Sequence, residues 1–171
     1  MDSLKSKIRH VPDFPKAGIL FYDVTTLLRD AEGFRIAIDS LANPYRDRGI
    51  SLIVGIESRG FILGAAVADR LGAGFVPVRK VGKLPSTTVR VSYDLEYGSD
   101  SLEMHRDAVE PGQRVLIVDD LLATGGTARA TVDLVKQLGG EVEGLAFLIE
   151  LSDLNGRSRL QGEQIFAVLQ Y

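Results

Sequence analysis

The sequence predicts an α/β fold in which helices flank a parallel sheet. Three observations carry this prediction: short continuous apolar runs, amphipathic helical patterns between them, and glycines where the element type changes. Continuous apolar runs are typical of strands that are buried on both faces, and a helix between two such strands is typical of parallel pairing. With 171 residues, the chain has the length of one ordinary domain, so we expect a single domain over residues 1–171.

The alternation predicts the following elements. Strands are predicted over residues 52–56 (LIVGI), 75–78 (FVPV), 115–118 (VLIV) and 145–151 (LAFLIEL). Helices are predicted over residues 32–48, 61–71 and 127–138, the first broken at Pro44 because proline lacks a backbone donor. The other two helices each follow a glycine and end at one, as helices with glycine caps do. Strand, helix and strand at this spacing predict right-handed crossovers.

Two regions interrupt the alternation. Residues 10–28 contain two prolines and a glycine among aromatic residues, which predicts an irregular cap over the sheet, within a small N-terminal hood across residues 1–30. Residues 79–105 alternate apolar and polar side chains over 89–96, which is typical of a half-exposed strand. With a turn at residues 97–100, this second region predicts a flexible flap hairpin rather than core. Long insertions of this kind are commonly functional.

Composition restricts the possible functions. Hydrophobic residues make up 45% of the chain and charged residues 25%, which is ordinary for a folded globular protein. The net charge of −3 provides no electrostatic footprint for nucleic acid, and the apolar runs fall far short of the ~20 residues that a membrane-spanning helix needs. The absence of cysteine excludes thiolate catalysis and disulfides. The N-terminus lacks the apolar core of a secretory signal, so a cytoplasmic location is expected.

The segment VLIVDDLLATGGT at residues 115–127 carries the strongest chemical signal. In a parallel sheet, ligands bind beyond the carboxyl ends of the strands, where Asp119 and Asp120 would lie. Two adjacent carboxylates repel each other unless hydroxyls, a metal or a developing cation offsets the repulsion. The Thr-Gly-Gly-Thr turn opens a helix, whose free amides and dipole attract phosphate. The segment therefore predicts a ribose 5-phosphate site, and the alternative is an ordinary strand-to-helix turn.

The same segment resembles the signature of the type I phosphoribosyltransferases, which bind phosphoribosyl pyrophosphate (PRPP). Within that group the chain is similar to the adenine phosphoribosyltransferase family through FPKAGILFYDVTTLL (14–28), GIESRGFILG (55–64), VPVRKVGKLP (76–85), YDLEYG (93–98) and PGQRVLIVDDLLATGGT (111–127). The resemblance implies the type I phosphoribosyltransferase fold. It also implies Mg²⁺-dependent transfer of the 5-phosphoribosyl group from PRPP to N9 of adenine, giving AMP and pyrophosphate in purine salvage. A homodimer would be the usual assembly.

The resemblance implies roles for residues along the PRPP site. Asp119 and Asp120 would hold the ribose hydroxyls, directly or through magnesium-bound water, while Mg²⁺ would be held mainly by PRPP without a direct protein ligand. The phosphate loop would bind the 5-phosphate through Ala123, Thr124, Gly125, Gly126 and Thr127. Ser58 and Arg59, in a turn that often contains a cis peptide in this family, would bind pyrophosphate. The densest basic cluster would join them, with a solvated loop as its alternative: Arg79, Lys80 and Lys83.

The flap would exchange a proton with the base and would exclude water from the site. By the same resemblance, Glu96 would be the general acid or base at N7 of adenine. Tyr97 would close the flap over the substrates and exclude water, which could otherwise hydrolyse PRPP. His105 is a candidate for reaching the pyrophosphate through the flap.

The adenine pocket would come from a stacking Phe21 and from backbone groups of Leu20 and Tyr22. Many relatives have a basic residue where this chain has Tyr22. The sequence therefore supports the preference for adenine less strongly than it supports PRPP binding. Two other functions remain open. A phosphoribosyltransferase for another nucleobase would differ in this pocket. A non-catalytic PRPP-sensing regulator would need a nucleic-acid-binding module and could lack Glu96, whereas this chain has Glu96 and little length for a module.

Overall fold

The computed structural model of the chain describes residues 2–95 and 98–171, apart from the side chain of Asp2. Glu96 and Tyr97 lie outside the described residues, so the roles expected for them stay predictions. The strands are β1 (Arg9–Pro12), β2 (Leu20–Asp23), β3 (Leu52–Ile56), β4 (Gly74–Lys80), β5 (Thr88–Asp94), β6 (Ser99–His105), β7 (Arg114–Leu122), β8 (Glu141–Glu150) and β9 (Ile165–Gln170). The helices are α1 (Asp2–Lys5), α2 (Thr25–Leu28), α3 (Ala31–Ala42), α4 (Arg59–Leu71) and α5 (Gly126–Gln137).

The described part of the chain forms one seven-stranded sheet, in the order β5-β6-β4-β3-β7-β8-β9, and a separate two-stranded sheet of β1 and β2. The pairs β3–β4, β3–β7, β7–β8 and β8–β9 are parallel, whereas β6 is antiparallel to both β4 and β5. Helices α3 and α4 pack on one face of the large sheet and α5 on the other. The predicted fold class, a largely parallel sheet flanked by helices, is confirmed.

Successive residues of the central strands enter different apolar cores. On β3, Ile53 joins the core that contains α3 and α4, whereas Val54 joins the core that contains α5. On β7, Leu116 and Ile117 divide in the same way. Because both faces of these strands are buried, their sequences are continuously apolar instead of alternating.

The predicted helices 61–71 and 127–138 are confirmed as α4 and α5, with ends shifted by one or two residues. The helix predicted over 32–48 is shorter: α3 ends at Ala42, and a 3₁₀ turn at Asn43–Tyr45 contains Pro44. The side chain of Asp30 caps α3 by accepting a hydrogen bond of 2.7 Å from the amide of Gly33. Within the described ranges, none of the helices is long and apolar enough to cross a membrane.

The borders of the sheet differ from the prediction in three ways. Strand β9 is an addition to the predicted strands and pairs in parallel with β8. Strand β7 continues through both aspartates to Leu122, because the backbone of Asp119 still pairs with Phe147 of β8. The expectation of an irregular cap over residues 10–28 is wrong in part, since β1 and β2 form an antiparallel pair there and α2 follows them.

The hairpin expected in residues 79–105 is confirmed as β5 and β6, which pair from Thr88↔His105 to Asp94↔Ser99. The expectation that this region lies outside the core is wrong for its base. Val89, Leu102 and Met104 are buried in the α5 core. In addition, β6 extends the central sheet by pairing with β4. The base of the hairpin is therefore part of the packed sheet.

Candidate active site

A cavity of about 540 Å³, called the first cavity below, lies beyond the carboxyl ends of β3 and β7. It brings together ten of the twelve residues expected to bind PRPP: Ser58, Arg59, Lys80, Asp119, Asp120, Ala123, Thr124, Gly125, Gly126 and Thr127. Arg79, Lys83 and His105 do not line it. The Nε2 atom of His105 instead accepts a long hydrogen bond of 3.4 Å from the amide of Ser86 at the base of the hairpin.

The phosphate loop leads directly into the first turn of α5. Gly125 precedes the helix with φ 83°, in the left-handed region that glycine adopts without strain. Among the described residues, no side chain caps this helix, so its first amides point unpaired toward the first cavity. Those amides and the helix dipole favour an anion at this position.

A turn near the C-terminus supports this loop from behind. A Cβ atom on Gly156 would lie 2.3 Å from the carbonyl oxygen of Ala123, and one on Gly125 would lie 2.5 Å from the carbonyl oxygen of Gly156. The two backbones therefore touch, and both positions require glycine. Gly156 is a site residue that the sequence analysis missed. No local pattern distinguishes it from a turn glycine, because its contact is more than thirty residues away along the chain.

The two aspartates of β7 are largely buried at the floor of the first cavity, with 8% and 6% of Asp119 and Asp120 exposed. The amide of Asp120 donates a hydrogen bond of 2.9 Å to Oδ1 of Asp119, and the Nε atom of Arg59 donates to Oδ2 of Asp120. Burial, together with the neighbouring charge of Asp120, raises the pKa of Asp119 well above its usual value. The pair thus places two carboxyl groups, of which Asp119 is held back from ionising, where a sugar cation could develop.

The raised pKa of Asp119 predicts that Asp119→Asn stabilises the protein at neutral pH. The folded state binds this proton more tightly than the unfolded chain, so the contribution is favourable below about pH 4 and is lost as pH rises toward the folded pKa. We expect the melting temperature of the variant at pH 8 to exceed that of the wild type by roughly 3 °C, about the effect of 1 kcal/mol in a chain of this size.

Calorimetry between pH 4 and pH 8 measures this effect, and the gap between the two proteins should close at the acidic end. Asp47→Asn, at an exposed aspartate, is the matched control and should leave the melting temperature unchanged. An Asp119→Asn variant that melts below the wild type at pH 8 would contradict the prediction.

Glu57 organises the basic cluster beside the first cavity and is a second site residue that the sequence analysis missed. Its carboxylate accepts hydrogen bonds from Nζ of Lys83 at 2.7 Å, from the amide of Lys80 at 3.1 Å and from Nε of Arg79 at 3.3 Å. Burial alone would raise the pKa of Glu57, but the hydrogen bonds from Lys83, Arg79 and Lys80 outweigh it and lower the pKa to about 2. The Glu57–Ser58 peptide bond is cis, as the family resemblance implied.

The flap hairpin contributes two further groups to this end of the cavity. Tyr93 of β5 lines the first cavity, and its ring lies over Gly126 of the phosphate loop, where a Cβ atom would be 3.2 Å from Cδ2. Asp100 of β6 accepts a weak hydrogen bond of 3.4 Å from the Tyr93 hydroxyl and binds Nζ of Lys80 at 3.0 Å. Burial and the charge of Asp100 raise the pKa of Tyr93 to about 12, so the phenol stays protonated.

A second cavity of about 410 Å³ adjoins the first through Arg59, which lines both. Phe21 lines the second cavity together with Val11, Phe14, Asp23 and Thr25, and the guanidinium carbon of Arg59 lies 5.6 Å from the centre of the Phe21 ring. The cavity therefore offers an aromatic face and a cation to a flat ligand.

Leu20 and Tyr22 do not line the second cavity, because alternate side chains of β2 point to opposite faces. The ring of Tyr22 packs at 4.3 Å from that of Tyr171 and at 5.1 Å from that of His10, measured between ring centres. The ring of Tyr22 thus takes part in the attachment of the N-terminal strands and not in the wall of the second cavity. The roles expected for the backbone groups of Leu20 and Tyr22 stay predictions.

Comparison with known proteins agrees with this geometry. The profile of the family described as Phosphoribosyl transferase domain matches residues 23–163 of the chain. The fold and the site together define a type I phosphoribosyltransferase domain. An adenine phosphoribosyltransferase from Acidobacterium capsulatum is 64% identical over 170 residues, which are 99% of this chain and 94% of that protein. The chain belongs to the adenine phosphoribosyltransferase family.

Solved structures of the family have the same fold over almost the whole chain. The crystal structure of adenine phosphoribosyltransferase from Thermoanaerobacter pseudethanolicus is 53% identical, has a TM-score of 0.97 and is matched over 99% of both chains. The Saccharomyces cerevisiae enzyme, crystallised with adenine and an imino-altritol bisphosphate, is 42% identical with a TM-score of 0.92. That match covers 98% of this chain and 97% of the yeast chain.

Proposed function

We propose that the protein transfers the 5-phosphoribosyl group from PRPP to N9 of adenine, giving AMP and pyrophosphate in purine salvage. The observation that carries this proposal is the junction of the two cavities at Arg59. One cavity has an acidic pair and a glycine phosphate loop, and the other has an aromatic wall. The relatives named adenine phosphoribosyltransferase, and the yeast complex with adenine, support the choice of base.

In this proposal PRPP lies across the first cavity. Its 5-phosphate binds the phosphate loop, its ribose hydroxyls face Asp119 and Asp120, and its pyrophosphate lies toward Ser58, Arg59 and Lys80. Arg79 and Lys83, which Glu57 holds just outside the cavity wall, would exchange that carboxylate for the leaving pyrophosphate. Cations and backbone donors at that position stabilise the negative charge that develops as the anomeric carbon–oxygen bond breaks.

Adenine in the second cavity would stack on Phe21 and approach the anomeric carbon from the side opposite pyrophosphate. The N9 lone pair forms the new bond while the bond to pyrophosphate breaks, so the configuration inverts. The purine proton would leave through N7 to the carboxylate of Glu96. The fields of Asp119 and Asp120 favour the positive charge on the sugar at the transition state. Closure by Tyr97 would keep water from the same carbon.

We propose that Mg²⁺ enters with PRPP. The donor set fits this mode of binding, because the carboxylates of Asp119 and Asp120 face the cavity while no group of three potential ligands that could enclose a metal occurs among the described residues. Substrate oxygens would supply most of the coordination, with Asp119 and Asp120 reached through water, as is usual for this strongly hydrated ion. Bound Mg²⁺ would neutralise part of the pyrophosphate charge.

The remaining features of the proposal concern organisation. We propose a single domain over residues 1–171, in which residues 1–30 form a hood beside the second cavity and residues 79–105 form the flap. A homodimer and a cytoplasmic location complete the proposal. The contribution of Val11, Phe14 and Phe21 to the second cavity supports the hood, and that of Tyr93 to the first cavity supports the flap.

A steady-state assay with PRPP and Mg²⁺ tests the function against adenine, hypoxanthine, guanine and uracil. We expect AMP from adenine and no product from the other bases. Glu96→Gln should lower kcat by about 10²-fold with unchanged PRPP affinity, because it removes proton transfer without touching the PRPP site. Asp94→Asn, which removes an exposed charge of the same hairpin, is the control and should keep full activity. PRPP binding without turnover of any base would favour the sensor, and turnover of another base would favour a different base specificity.

A further inference from the structure

The side chain of Arg159 lies beside the phosphate loop, outside every role assigned above. Its Nη1 atom is 3.7 Å from the position that a Cβ atom on Gly126 would occupy, and its Cβ atom is 3.4 Å from the corresponding position on Gly125. Arg159 is exposed, and within the described ranges its side chain has neither an ion pair nor a hydrogen bond. A cation at the edge of an anion-binding loop therefore has its donors available.

The phosphate loop lacks a cation of its own. Residues 123–127 provide amides and threonine hydroxyls to a ligand whose phosphate carries close to two negative charges. The next cation along α5, Arg129, is engaged by Asp133, with an Nε–Oδ1 distance of 3.0 Å. Arg59 and Lys80, which line the first cavity, are bound to Asp120 and Asp100. Among the described side chains at the loop, Arg159 is thus the cation left to meet that phosphate.

The backbone that carries Arg159 is anchored on both sides. The 3₁₀ turn Gly156–Leu160 is held at one end by the backbone contact of Gly156 with Ala123, and Leu160 is buried in the α5 core at the other. Between them, Arg157 forms two hydrogen bonds with Glu150, of 2.6 Å and 2.7 Å. Because the backbone is already fixed, ligand binding by Arg159 would cost side-chain entropy but little backbone entropy.

We infer that Arg159 binds the 5-phosphate of PRPP and of AMP, as the cation of the phosphate loop. The inference rests on the proposed function for its ligands, but not on catalysis. Arg159 does not line the first cavity itself, but its Nη1 atom lies on the side of Gly126 that also faces the ring of Tyr93, which does line the cavity. A guanidinium fork can donate two hydrogen bonds to one phosphate. Arg159 would therefore favour phosphorylated ligands over the corresponding nucleoside.

Calorimetric titrations with AMP, adenosine, ribose 5-phosphate and pyrophosphate test this role. Arg159→Ala should weaken AMP and ribose 5-phosphate binding by roughly fivefold, the effect of a partly exposed charge-assisted contact, and should raise the KM for PRPP similarly. Adenosine and pyrophosphate should bind as they do to the wild type, because neither occupies the loop. Arg159→Lys should retain most of the AMP affinity, and Arg106→Ala, at another exposed arginine, should retain all of it.

Two outcomes would overturn the inference. Unchanged AMP and ribose 5-phosphate affinity in Arg159→Ala would exclude the contact, and an equal loss for adenosine and pyrophosphate would indicate a structural defect instead. The proposed function can be contradicted independently of this inference. If the wild type binds ribose 5-phosphate through Arg159 but does not convert adenine, the phosphate contact is supported and the transfer reaction is contradicted. If adenine is converted and Arg159→Ala leaves the affinities for AMP and ribose 5-phosphate unchanged, the transfer reaction is supported and the phosphate contact is contradicted.

Discussion

Replacing Asp120 by Asn is expected to lower kcat/KM for AMP formation by a factor of about 10² to 10³, the range found when one preorganised electrostatic group is removed from a transition state. Asp120 is buried at the floor of the first cavity and binds Arg59, which lines both cavities. In the proposed mechanism, the substitution removes a charge that stabilises the sugar cation. It also leaves the Arg59 guanidinium without that partner.

The neighbouring substitution Asp119→Asn provides the comparison. Because burial and Asp120 raise the pKa of Asp119, this carboxyl carries less negative charge in the free protein, so its neutral replacement should lower kcat/KM only about tenfold. Steady-state kinetics with adenine and PRPP measure both variants, and circular dichroism checks that each is folded. Equal losses in the two variants, or the larger loss in Asp119→Asn, would contradict this assignment of charge.

Replacing Gly156 by Ala is expected to destabilise the protein by about 2 to 3 kcal/mol and to raise the KM for PRPP several-fold. The new methyl group would lie 2.3 Å from the carbonyl oxygen of Ala123 and 3.0 Å from Cδ1 of Leu122. Inserting a methyl group where backbone atoms already touch forces the chain to shift, and overpacking of this kind typically costs ~1–3 kcal/mol. The phosphate loop would be the part that moves.

Gly162→Ala is the matched control for this effect. Gly162 has φ +86° but open space around its Cβ position, so the substitution introduces backbone strain of about 1 kcal/mol without a clash. Urea denaturation gives both stabilities, and the PRPP titration should be affected only by Gly156→Ala. If Gly156→Ala is no less stable than Gly162→Ala, or if its PRPP affinity is normal, the turn does not support the phosphate loop.

The candidate site was predictable where neighbouring residues along the chain carry its chemistry. The phosphate loop requires consecutive glycines before a helix, and the acidic pair requires a strand that ends at the edge of the sheet where the ligand binds. Both features can therefore be predicted from residues 115–127. Glu57, Tyr93 and Gly156 could not be found this way. Each acts through a partner far away in the sequence: Lys83, Gly126 and Ala123 respectively.

The surroundings of individual side chains could not be predicted either, because they depend on tertiary packing. Tyr22 stands beside Phe21 in the sequence, yet it packs against Tyr171 at the far end of the chain while Phe21 lines a cavity. Similarly, the alternation in residues 89–96 correctly predicts the hairpin, but the burial of Val89 follows from its packing in the core that contains α5. A strand's period indicates which residues share a face, and neighbouring elements decide what that face contacts.

By itself, the sequence determined the α/β class, the central strands and helices, and the phosphate loop with its acidic pair, because apolar periodicity, glycine conformation and charge spacing act over a few consecutive residues. Only the tertiary structure decided that Glu57 gathers the basic cluster, that Gly156 supports the phosphate loop and that Arg59 joins two cavities. These contacts link residues separated by many positions, and their geometry exists only once the whole sheet has packed.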